Sequence, residues 1–150
     1  MNQFALAIQP ERRIGLTGGI ASGKSSAGKL LQEKHRLAVL DADRYAREAL
    51  APGTTASQAV LNRYGKRVFC GDNLDRKALG EIVFNNQNER LWLEQLVHPV
   101  VKQMMDQEII KLADTKTIVL MIPLLFETGL ESLCTEIWLV DCDEKQQIER

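Results

Sequence analysis

The chain has 150 residues, 45% hydrophobic and 26% charged, with a net charge of −1. That size and balance describe one globular domain with a real core. Near-neutral charge argues against a broad nucleic-acid or membrane surface, so any anion site must be local.

Residues 1–12 lack the apolar core and small-residue cleavage site of a signal peptide and read as a short tail. Arg13–Thr17 (RIGLT) reads as a first, buried strand, and Lys24 to His35 as a first helix with Leu30 and Leu31 turned inward. Leu37–Leu40 (LAVL) reads as a second strand that ends at Asp41-Ala42-Asp43. From Arg44 to Ala113 the patterning is helical only. Pro52-Gly53 breaks it once, and Gly71-Asp72-Asn73 makes a turn. Asp75 is the expected N-cap of a helix through Phe84. A further helix covers Glu89 to Val97, and Pro99 suits the first position of the next one. Thr117–Ile122 (TIVLMI) is a third strand, a continuous apolar run bounded by Pro123, and Glu136–Val140 (EIWLV) is a fourth. Asp143 caps a last helix that has run about two turns at Arg150, so the architecture reads as truncated there. No apolar run approaches membrane-spanning length. Cys70, Cys134 and Cys142 are odd in number and form no close pair suited to zinc. They read as reduced cytosolic thiols filling buried space.

Strand alternating with helix marks an α/β fold: a parallel sheet with crossover helices. Between its first strand and first helix stands Gly18-Gly19-Ile20-Ala21-Ser22-Gly23-Lys24-Ser25. Two glycines five apart, followed by Lys and Ser, are the phosphate-loop pattern, here in the required strand-to-helix context. Glycines let successive backbone N–H groups converge on one point, and the positive end of the helix dipole adds to the attraction. Lys24 reaches the β- and γ-phosphates as a point charge, and the Ser25 hydroxyl suits magnesium. Gly19, Ile20, Ala21, Ser22, Gly23, Lys24, Ser25 and Ser26 are the expected nucleotide-binding residues.

A phosphate loop alone fits kinases, GTPases, ATPases and motors. No guanine-reading Asn-Lys-x-Asp follows it, and the third strand carries no aspartate where a metal-orienting carboxylate is usual. Asp41 and Asp43, by contrast, stand at the carboxyl end of the second strand, the edge where open parallel sheets bind ligands. Asp43 there suits the base that takes a proton from an attacking hydroxyl. Asp41 serves the same site or simply caps the turn. The division that follows is a nucleotide-binding core of residues 13–43 and 114–150, with a helical acceptor-binding insert at residues 44–113. Such an insert at the active edge excludes water that would otherwise take the phosphoryl group.

These residues resemble the dephospho-coenzyme A kinase family. The likeness runs from Leu16–Ser25 and Leu40-Asp41-Ala42-Asp43 through Pro52-Gly53, Leu74-Asp75-Arg76 and His98-Pro99. It continues in Pro123-Leu124-Leu125-Phe126-Glu127, Val140-Asp141 and the Gln147-x-x-Arg150 spacing, in the family's order. The resemblance implies the three-layer P-loop kinase fold, with its lid and final strand missing from this chain. It implies transfer of the γ-phosphoryl group of ATP, with Mg2+, to the ribose 3′-hydroxyl of dephospho-coenzyme A in the cytoplasm. It also implies no nucleic acid, no membrane and no obligatory protein partner. In the family the aspartate matching Asp43 faces that hydroxyl. Asp41, Arg76, His98 and Glu127 are the implied acceptor-side residues. Arg76 equally suits an exposed helix start, and His98 a packed helix end. Ala21 departs from the family's usual glycine, Ser26 from threonine, and Lys34-His35-Arg36 from the usual glycine before the second strand. Two other readings stand beside this one: another small-molecule or nucleoside monophosphate kinase, or a nucleotide-binding fragment without turnover.

Overall fold

The computed structural model describes residues 8–18, 23–122 and 129–141. In chain order its elements are β1 Arg12–Thr17, α1 Lys24–Lys34, β2 Ala38–Asp41 and α2 Ala42–Ala49, followed by α3 Thr55–Tyr64. Then come β3 Phe69–Cys70, β4 Asn73–Leu74, α4 Arg76–Asn85, α5 Gln87–Lys111, β5 Thr117–Met121 and β6 Glu136–Leu139. Short 3₁₀ turns cover Gly65–Val68 and Leu130–Leu133. The chain divides into two compact units, residues 1–43 with 104–150, and residues 44–103.

The first unit holds one parallel sheet in the order β2-β5-β1-β6. Its central strand β5 is buried on both faces, with Ile118, Val119 and Leu120 all at 0% exposure. That burial is why β5 reads as an unbroken apolar run rather than an alternation. On one face Ile14, Leu16 and Val119 form a cluster, covered by Ala27, Leu31, Leu37, Val39, Met121 and Val140. Each such side chain contributes about 1.5–3 kcal/mol by leaving water. The face of α1 that packs here is Ala27, Gly28 and Leu31, so Leu30 is not inward but exposed, one helical step out of phase. At buried Gly28 an added Cβ would lie 2.8 Å from Met121 Sδ, so glycine brings α1 close onto β5.

The sheet begins earlier than the sequence suggests. Arg12 already belongs to β1, and its N–H donates to the Lys116 carbonyl at 2.9 Å. Pro10 is fully buried, and its carbonyl accepts from Arg13 Nη1 at 2.9 Å. Pro10 therefore packs into the core, while Gln9 and Glu11 on either side of it are exposed. β2 likewise extends through Asp41, which pairs with Met121. Arg36, between α1 and β2, has φ 54, and the Leu37 N–H beyond it returns to the Leu31 carbonyl at 3.2 Å. A Cβ in that left-handed region costs about 1–2 kcal/mol, so a glycine would suit the position better than Arg36 does. Arg36→Gly should stabilise the protein by about 1 kcal/mol, read as a rise in the midpoint of urea unfolding at constant slope. An unchanged or lower midpoint would mean that Arg36 makes compensating contacts.

The second unit is helical but not purely so. Gly71, at φ 63, turns the chain with Asp72, and Phe69–Cys70 pairs antiparallel with Asn73–Leu74. This two-residue ladder is too short to leave a period in the sequence, which is why only the turn was legible. Asp75 caps α4 as its sequence position implies, accepting from the Ala78 N–H at 3.1 Å. The expected break at Pro99 does not occur, because α5 is one helix of 25 residues with Pro99 inside. Proline there removes one helical hydrogen bond and costs about 3 kcal/mol. The stripe Val97, Val101, Met105 and Ile109, four apart and all buried, outweighs that cost. The same stripe explains why the compact division falls at Met104 rather than near Asp114: Met105 and Ile109 are core residues of the first unit. The cysteines are also not uniformly buried. Cys70 is exposed, Cys134 is half-buried with its thiol pushed up to about 11 by burial, and Cys142 lies outside the described residues.

One partly buried cluster ties α3 to α5. The Arg63 guanidinium grips the Glu89 carboxylate with two bonds, 2.7 and 3.0 Å, and lies 4.5 Å over the Trp92 ring. The Tyr64 hydroxyl donates to the same carboxylate, and its ring meets Trp92 edge-on at 5.7 Å. The hydrogen bonds from Arg63, then Tyr64, hold the Glu89 carboxyl down to about 2 from 4.5. A depressed carboxylate stabilises the fold above its unfolded value. That contribution is therefore present above about pH 4.5 and disappears as pH falls towards 2. Glu89→Gln should lower the thermal midpoint at pH 7 and bring it level with the parent near pH 2. A constant gap across the range would show that the charge is not what stabilises.

Candidate active site

The site is built by the parallel register of the first unit. Leu16 on β1 and Asp41 on β2 both pair with Met121 of β5, from opposite sides. Two strand spacings of about 4.8 Å each set the ends of β1 and β2 about 10 Å apart on one sheet edge. Gly18 lies two residues beyond Leu16, and Asp43 two beyond Asp41, so the phosphate loop and the aspartate pair leave the same edge.

Gly23 is the N-cap of α1, with φ 96 and ψ 10, a left-handed conformation that suits glycine. No side chain caps this helix, and its first turn carries no acidic residue. The first intrahelical bond runs from the Ala27 N–H to the Gly23 carbonyl at 2.9 Å. The amides of Lys24, Ser25 and Ser26 stand before it and have no helical acceptor. Lys24 is half-buried, Ser25 and Ser26 are exposed, and their side chains have no protein partner among the described residues. Amides without helical acceptors at the positive end of a helix dipole, beside an ammonium that no described residue engages, have the chemistry that attracts an anion. Gly19, Ile20, Ala21 and Ser22 lie outside the described residues.

The two aspartates do different things. Asp41 Oδ1 accepts the Asp43 N–H at 3.0 Å, so Asp41 caps the start of α2. Asp43 is in the first turn of α2, exposed, and its carboxylate has no partner among the described residues. A sequence of two aspartates around one alanine hides this division. Arg76 is the exposed first residue of α4, and His98 is half-buried within α5, both in the second unit. Glu127 lies outside the described residues. Gly28, the close contact that seats the loop-bearing helix on β5, was not singled out in the sequence, since a glycine in mid-helix carries no local signal of what it faces.

Fold and site together define a P-loop phosphotransferase: a parallel α/β sheet with a phosphate loop opening its first helix. The family model described as Dephospho-CoA kinase matches residues 12–150. A Dephospho-CoA kinase of Parasynechococcus marenigrum (strain WH8102) is 61% identical over 140 residues, covering 93% of this chain and 70% of the relative. One from Prochlorococcus marinus (strain MIT 9313) is 53% identical over 146 residues, covering 94% and 72%. Among solved structures, TT1252 from Thermus thermophilus superposes with a TM-score of 0.81 at 32% identity, covering 94% of this chain and 71% of that one. The Dephospho-CoA kinase from Campylobacter jejuni gives 0.63 at 26% identity, covering 85% and 64%. The chain belongs to the dephospho-CoA kinase family.

Proposed function

We propose that this protein transfers the γ-phosphoryl group of ATP to the ribose 3′-hydroxyl of dephospho-coenzyme A. Family membership supports an ATP-dependent transferase with that acceptor. The observation that carries the chemistry is the shared register with Met121, which brings the phosphate loop and Asp43 to one sheet edge. The γ-phosphate lies against the Lys24 ammonium and the amides that open α1. The 3′-oxygen attacks phosphorus, the bond from phosphorus to the β-phosphate oxygen breaks, and ADP leaves. Asp43 takes the hydroxyl proton and later gives it to water. Lys24 balances charge on the transferring oxygens, so the protein's part is positioning and electrostatics. Asp41 fixes the turn that presents Asp43.

Magnesium fits this chain as a substrate-borne ion. The exposed Ser25 hydroxyl is free to bind it, and no cluster of three His, Cys, Asp or Glu forms a cage among the described residues. Bound there, Mg2+ would neutralise charge on the phosphates. The helical unit, with Arg76 and His98, serves the acceptor. Membership of this kinase family supports a cytoplasmic location. Among the described residues no helix is long and apolar enough to cross a membrane. The test is an ADP-release assay with magnesium ATP and dephospho-coenzyme A, set beside AMP, shikimate and water as acceptors. Product carrying a new 3′-phosphate, seen by mass and phosphorus NMR, is expected with dephospho-coenzyme A alone. Faster turnover on another acceptor would overturn the assignment.

A further inference from the structure

Met121, the last residue of β5, meets three elements of the active edge. Its backbone stands between Leu16 of β1 and Asp41 of β2, in parallel register with each. Its side chain is half-buried on the face of the sheet that α1 covers, packed against the Ile14, Leu16 and Val119 cluster. There it meets α1 at Gly28. A Cβ added to Gly28 would lie 2.8 Å from Met121 Sδ, whereas Leu16 Cδ2 would stand at 3.8 Å, an ordinary contact. The thioether is thus what limits how closely this turn of α1 approaches the sheet. Gly28 lies four residues after Lys24, one helical turn, so the two share a face of α1.

Any change in the height of α1 at Gly28 carries Lys24 and the amides of Lys24, Ser25 and Ser26 with it. The same β5 residue holds Asp41 by register, and Asp41 Oδ1 in turn accepts the Asp43 N–H at 3.0 Å. We infer that Met121 is a positioning residue: its side chain sets where the phosphate-binding end of α1 stands relative to Asp43, and its backbone anchors the Asp41–Asp43 turn. The inference rests on the proposed reaction, in which the transferring group lies against Lys24 and the attacking hydroxyl gives its proton to Asp43. Close-packed interiors pass on the bulk of a single methyl, and a misplacement of about 1 Å costs roughly a hundredfold in rate. Methionine suits this place because an unbranched, polarisable side chain fills the irregular gap that a glycine leaves.

Gly28→Ala tests this on the full chain, well below its unfolding midpoint. It should lower kcat about tenfold and leave ATP affinity within about threefold, because Lys24 and the neighbouring amides move together. Met121→Leu, close in volume, should keep kcat within about threefold of the parent. Combining Gly28→Ala with Met121→Ala gives the new methyl room and should restore kcat to within about threefold. With Asp43→Asn as the background, Gly28→Ala should cost no more than about threefold, since the partner to be aligned is already gone. In the free protein, the amide NMR resonances of Asp41 and Asp43 should shift in Gly28→Ala together with those of Lys24–Ser26, and return in the combined variant. Parental kcat in Gly28→Ala, even with a lowered midpoint, would make the contact one of packing alone and overturn the inference. So would a full tenfold loss in the Asp43→Asn background, or amide shifts confined to α1. Should the parent fail to phosphorylate dephospho-coenzyme A, the amide shifts still decide the part of Met121, so the two failures separate.

Discussion

Replacing Lys24 with alanine should reduce phosphoryl transfer by about a thousandfold, the scale expected when a charge aimed at the transferring group is removed. Stability should move the other way. Lys24 is the first residue of α1, where the helix dipole is positive and a cation is disfavoured by about 0.3–1 kcal/mol. Among the described residues it makes no ion pair that would repay that cost. Alanine is also the better helix former. The thermal midpoint of Lys24→Ala should therefore equal or exceed the parent's. A residue kept against its own stability preference is kept for a ligand, and that opposition of signs is the signature to look for. Turnover at the parent rate would remove the phosphate-loop assignment. Loss of both activity and stability would instead make Lys24 a structural residue. Nucleotide affinity should fall as well, because the ground-state phosphates lose the same charge, and equilibrium dialysis with ATP measures it directly.

What the sequence disclosed follows from where its information is stored. The phosphate loop was legible because its constraint is local: a left-handed Gly23, free amides and a following helix need only eight consecutive residues. β5 was legible because burial on both faces demands an unbroken apolar run. Features settled by distant contacts were not. Pro99 looks like a helix start in isolation, and only the buried stripe from Val97 to Ile109 carries α5 through it. Leu30 and Leu31 are chemically alike, and the position of the sheet decides which one is covered. Arg36 takes the conformation a glycine would favour, a fact that resides in its φ and not in its identity.

The aspartate pair brings both kinds of information into one comparison. Asp43→Asn should lower turnover by at least about a hundredfold, the usual span for loss of a general base, and leave ATP binding intact. Asparagine keeps the size of the side chain and its hydrogen-bonding oxygen, but it does not accept a proton at neutral pH. Asp43 makes no side-chain bond among the described residues, so the fold has nothing to lose there beyond a small dipole interaction. Asp41 predicts the reverse pattern. Its oxygen is committed to the Asp43 N–H, and asparagine offers an equivalent acceptor, so Asp41→Asn should retain most turnover. Asp41→Ala removes the cap and should cost about 1 kcal/mol of stability, with turnover falling because the Asp43 turn is no longer fixed. Measured together, kcat, ATP affinity and unfolding midpoint for these three variants separate base from brace. If Asp41→Asn were inactive and Asp43→Asn fully active, the proton would go to Asp41, and the hydrogen bond between the two would be incidental to catalysis. A rate loss in Asp43→Asn that high pH restores would support Asp43 as the base. A missing base is bypassed by hydroxide, whereas a base still present elsewhere would keep its own pH profile.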